Sequence, residues 1–100
     1  MAPNPEYQRA GATVASYHET CLRELLEQVA NALGRYRAGD IDAFEVDEVI
    51  HQYPRAAGEL WKFCWAGGGS HVRMAAGIID NNAANGEVID WWDRGAPRRR

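Results

Sequence analysis

The sequence predicts an all-α fold: an antiparallel helical hairpin whose second helix is kinked at Pro54, a shorter third helix, and a C-terminal arm that packs back. Three observations predict it. Two long stretches carry apolar residues at spacings of three and four, the helical period. Only Gly39 to Ile41 lies between them, too short a connection for anything but a reversal. And the second stripe passes Pro54 without losing phase, which two independent helices would have no reason to do.

In the first stretch, about Thr13 to Ala38, Leu22, Leu26, Val29, Leu33 and Tyr36 fall in one sector, with Leu25 and Ala32 widening it. Arg23, Glu24, Glu27, Asn31 and Arg35 lie opposite. Gly39 is the expected stop, with Arg35 and Arg37 in the last turn facing the negative end of the helix dipole. Residues 1 to 12 carry Pro3, Pro5 and Gly11 with little apolar content and read as a flexible leader.

The second helix is expected over Ala43 to Trp65. Asp42 can cap it, Glu45 stands three residues on as in a capping box, and Ile41 and Val46 can form a hydrophobic staple. The acidic cluster of Asp40, Asp42, Glu45, Asp47 and Glu48 thus has a structural explanation. Val46, Ile50, Tyr53, Ala57, Leu60 and Cys64 form the stripe. Pairing across the turn sets Val29 near Ile50, Leu33 near Val46 and His18 near Trp61. It leaves Cys21 and Cys64 offset by about 9 Å along the axis, which disfavours a disulfide.

Gly67 to Gly69 end that helix, and Ser70 is the expected cap of a third, with Val72, Ala75, Ala76, Ile79 and Ala83 on one face. Asn85-Gly86 signals a turn. Glu87 to Ala96 packs four large apolar residues into a short run, expected to lie back on the hairpin with one turn capped by Asp90. The organisation predicted is one helical domain over residues 13–96 and a basic tail over 97–100.

Composition narrows function. The net charge of −3 gives no global attraction to nucleic acid. No apolar run approaches the roughly 20 residues that cross a bilayer, and the expected location is the cytoplasm. Two cysteines make neither a disulfide framework nor a metal-binding spacing. Arginine outnumbers lysine ten to one and alanine is abundant, a usage associated with GC-rich bacterial genomes.

Four patterns invite chemistry. Glu48 and His51 make a Glu-x-x-His, the spacing that supplies inward ligands in di-iron bundles. A dimer built that way would resemble ferritin-like proteins, but the phase of the helix turns both residues away from the apolar stripe, beside Arg55, Glu59 and Lys62. His18 and Cys64 both face the seam, yet no third group orients them and an apolar seam leaves a thiol inert. Gly67 to Ser70 lacks the lysine of a phosphate-binding loop and follows no strand. Arg94, Arg98, Arg99 and Arg100 could meet nucleic-acid phosphates. A helix-turn-helix across residues 56–80 would have one recognition arginine, Arg73.

The aromatics carry the leading expectation. Trp61, Phe63, Trp65, Trp91 and Trp92 are too many for a two-helix seam, so either the C-terminal arm or another chain covers them. The reading is a non-enzymatic helical interaction protein, a regulatory or accessory subunit without cofactor, which binds itself as a homodimer or binds another protein. The alternatives are a nucleic-acid-binding regulator using the arginine-rich end and a ferritin-like metal-binding dimer.

Overall fold

The computed structural model describes residues 4–97, and Arg98, Arg99 and Arg100, expected to form the basic tail, lie outside them. Four helices pack together: α1 (Pro5–Arg37), α2 (Ala43–Trp65), α3 (Gly69–Asn85) and the single turn α4 (Trp91–Arg94), with no strand among the described residues.

α1 starts eight residues before the predicted Thr13. The Asn4 side chain accepts the Glu6 N–H at 2.9 Å, and Pro5 takes a first-turn position where its missing N–H costs nothing. Residues 5–12, expected as part of the leader, are therefore helical. The far end follows expectation. Gly39, at φ 83°, takes the left-handed conformation, and Asp40 N–H reaches back to the Arg35 carbonyl at 2.9 Å.

α2 opens on the predicted capping box, with Glu45 N–H on the Asp42 carboxylate at 2.9 Å and Asp42 N–H on Glu45 at 3.4 Å. It continues through Pro54 to Trp65. α3 differs from expectation at its start: Gly68 is the cap residue and no side chain bonds there, so Ser70 lies inside the helix and not ahead of it. α4 is capped as expected, with Asp93 N–H on the Asp90 carboxylate at 3.0 Å.

The core gathers Val14, Cys21 and Leu25 of α1, Ala56, Leu60 and Cys64 of α2, Val72, Ala75 and Ala76 of α3, and Trp91. This corrects the phase of α1. Its buried positions, Val14, Cys21, Leu25 and Ala32, lie roughly 80° around the helix from the centre of the predicted stripe, at 100° per residue. Leu26 and Tyr36, placed in that stripe, are exposed. In α2 the stripe holds at Val46, Leu60 and Cys64, while Ile50 is exposed.

Candidate interaction surface

The five aromatic residues expected to bind a partner have different fates. Trp91 is a core residue, 4% exposed. Its indole N–H donates to the Tyr17 hydroxyl at 2.8 Å, and its ring centroid lies 5.3 Å from that of Phe63. Phe63 in turn meets the Tyr17 ring edge-on at 5.9 Å, a favoured aromatic geometry. Trp92 is half-buried, and its carbonyl accepts from Gln52 Nε2 at 2.8 Å. The Arg55 guanidinium holds the next turn through the Gly95 carbonyl, also at 2.8 Å. Gly95 allows this closeness: a Cβ there would stand 2.5 Å from the Ala56 backbone nitrogen. The arm thus covers Phe63 from within the chain.

Trp65 is half-buried and packs against His18. Its Nε1–H donates to His18 Nδ1 at 2.9 Å, with ring centroids 6.2 Å apart. An indole nitrogen can only donate, so His18 Nδ1 is the acceptor and carries no proton in this arrangement. The expected neighbour of His18 was Trp61; the residue it bonds is one turn further along α2. Trp61 remains 54% exposed.

Below this cluster sit the two thiols, both free and buried. Burial, with Cys21 as a neighbour, pushes the Cys64 thiol up to about 11. Burial raises Cys21 too, partly offset by its hydrogen bond with Tyr17. The Tyr17 hydroxyl is pushed up to about 12 by burial, against the lowering effect of the Trp91 bond. All three groups are held protonated at neutral pH, and a protonated thiol is a poor nucleophile.

Glu48 and His51 lie on the exposed face of α2. His51 donates from Nδ1 to the Asp47 carbonyl at 2.8 Å, a contact within its own helix. Among the described residues, no three His, Cys, Asp or Glu side chains stand where they could share a metal ion. His71, not singled out by the sequence reading, donates from Nε2 to the Phe63 carbonyl and ties α3 to the aromatic end of α2. Its position four residues after Gly67 gave no sign of that role. Arg94 stacks over Trp91, its guanidinium carbon 5.0 Å from the ring centroid, a cation–π contact on the outer side of the arm.

Large apolar side chains stay exposed at Phe44, Met74 and Val88, and also on one side of the α1/α2 pair. α3 and α4 dock on one flank: Tyr17, Thr20, Cys21 and Glu24 border a cleft with Ile79 and Ile89, while Gln52, Arg55 and Phe63 hold α4. At 100° per residue, Leu22, Leu26 and Leu33 lie roughly opposite that flank on α1, and Ile50, Ala57 and Trp61 lie opposite it on α2. Leu26 is 51% and Ile50 46% exposed. Among the described residues, no helix is long and apolar enough to cross a membrane. Comparison of the chain with protein-family models, with curated proteins and with solved structures found no match.

Proposed function

We propose that this chain is a non-enzymatic helical interaction protein, a regulatory or accessory subunit of the bacterial cytoplasm that associates with itself. The observation that carries this reading is the half-exposure of Trp61 together with Leu26 and Ile50, after the C-terminal arm has covered the other aromatics. Large apolar side chains left exposed on one side of a helix pair are the kind of surface that a partner covers. The chemistry of the interior supports the same reading. Its thiols are held protonated, and its Glu-x-x-His points into solvent.

In this reading α1 and α2 form an antiparallel hairpin. α2 bends at Pro54, where the ring displaces the Ile50 carbonyl from the helical ladder. The two long helices form a rigid platform, with α3 and α4 clamped to one side. Sedimentation velocity or light scattering at micromolar concentration tests the proposal. The expected species is a dimer with a tryptophan emission that shifts red on dilution. A monomer at 100 times that concentration overturns it.

A further inference from the structure

We infer that His18 and Trp65 form an acid-sensitive latch: the bond that ties the aromatic end of α2 to α1 holds while the His18 ring is neutral and opens when the ring takes up a proton. Self-association is not required for it.

The chemistry is set by which partner donates. Trp65 Nε1–H reaches His18 Nδ1 at 2.9 Å. An indole offers a donor and no acceptor, so the histidine must present a bare nitrogen. An imidazolium carries a proton on both nitrogens. Protonated His18 therefore sets N–H against N–H, and no change of tautomer restores the bond. Nor does the cation gain on the indole face what it loses at the nitrogen. The ring centroids stand 6.2 Å apart and the planes are tilted by 55°, past the reach of about 6 Å at which a cation sits over an aromatic face.

The other two histidines respond in the opposite way. His71 Nε2 meets the Phe63 carbonyl, and His51 Nδ1 meets the Asp47 carbonyl at 2.8 Å. A carbonyl only accepts, so both rings donate, and an added proton leaves each bond in place. For His51 the proton also adds attraction to the Asp47 carboxylate, 3.4 Å away. Of the three histidines in the chain, His18 alone loses a contact in acid.

The groups around His18 leave that response intact. One turn away on its own face stand Val14, Ala15, Cys21 and Leu22, of which Cys21 alone titrates, and burial holds it protonated. The adjacent Glu19 is exposed and paired with Arg23 at 2.7 Å. From α2, Lys62 stands one turn before Trp65 and is paired with Glu59 at 3.5 Å. The acids of the opposite side, Glu87 and Asp90, border Cys21 and Glu24, further round α1.

The sign follows from proton counting. The closed latch keeps Nδ1 bare, whereas an open ring can take a proton, so protons favour opening. The latch is closed above the range in which histidine titrates, about pH 8 to 5, and opens as the pH falls through it. Trp65 lies one turn beyond Trp61, which is already 54% exposed. Released from His18, the Trp65 indole N–H has water as its partner, and acid sets the two rings side by side at the end of α2.

The test follows the indole N–H signals of the isotope-labelled full chain across that pH range. The chain has four tryptophans, and the Trp65 signal is the one missing from Trp65→Phe. It should move upfield as the pH falls. In His18→Asn, whose amide oxygen accepts without titrating, it should stay fixed. In His51→Gln it should move as in wild type. Tryptophan emission should shift red in acid for wild type and not for His18→Asn. Should Trp65→Phe fail to fold, sequential assignment of the wild-type spectrum identifies the same signal. A Trp65 signal that stays fixed across the range in wild type, or that moves equally in His18→Asn, overturns the latch.

Discussion

Trp91 donates its indole N–H to the hydroxyl of Tyr17, 74 residues earlier in the chain, at 2.8 Å. That bond, with the ring of Phe63 beneath it, ties the last helix to the first and closes the core.

Replacing Trp91 separates the two parts of that contact. Trp91→Phe keeps an aromatic ring against Phe63 but removes the donor, and should cost about 1 kcal/mol, the net value of one hydrogen bond. Trp91→Ala empties the site and should cost about 3–5 kcal/mol. Urea denaturation followed by far-ultraviolet circular dichroism checks both. Equal losses in the two variants would mean that the bond, and not the ring, holds the arm.

Gly95 should tolerate no side chain. A Cβ would stand 2.5 Å from Ala56 N and 2.7 Å from its Cα and Cβ, and backbone atoms cannot rotate aside. Gly95→Ala is therefore expected to lift α4, lengthen the Arg55 to Gly95 bond and cost about 1–3 kcal/mol, as overpacking does. The readout is a red shift of tryptophan emission as Trp91 gains water. Unchanged emission and an unchanged urea midpoint would refute the close approach.

Stability should fall in alkali. The Cys64 thiol is raised from an ordinary 9.0 to about 11 and the Tyr17 hydroxyl from 10.0 to about 12, both chiefly by burial. The folded state therefore holds protons that the unfolded state releases first, and stability rises wherever the unfolded state binds more protons and falls where it binds fewer. The contribution is fully present below about pH 9 and is lost between about pH 9 and 12 as the folded groups finally ionise. Urea midpoints at pH 8 and pH 10.5 should differ, and Cys64→Ala should flatten the dependence. At pH 8 a disulfide reagent should label neither thiol in the folded chain. Rapid labelling would contradict their burial.

How much of this was legible in the sequence depends on range. Features written within a few residues were read correctly: the Asp42–Glu45 box, the stop at Gly39 and the Asp90 cap all rest on contacts of five residues or fewer. The start of α1 was not, because the Asn4-Pro5 signal is followed by residues with no apolar period. The phase of α1 was displaced for a physical reason. Its buried positions include Cys21 and Ala32, which are small and weigh little in a pattern of large apolar residues, while Leu26 is large and faces outward. One wide apolar arc serves two flanks, and the periodicity averaged them. The fate of the aromatics was beyond reach, since it turns on the missing side chain of Gly95 and on a register that brings His18 to Trp65.

The shortest helix also has the longest-range bonds. A single turn such as α4 does not persist alone, because fixing the first turn costs more than its hydrogen bond returns. Its bonds reach back 40 residues to Gln52 and Arg55 and 74 to Tyr17, the last farther than the 47 residues that separate Trp65 from His18 between α1 and α2. Closing long loops slows folding. The three longer helices can collapse first, with Phe63 still in water, and the native state is reached only when four residues arrive and lock. Refolding of the whole chain is therefore expected to be slowed by the docking of its smallest element.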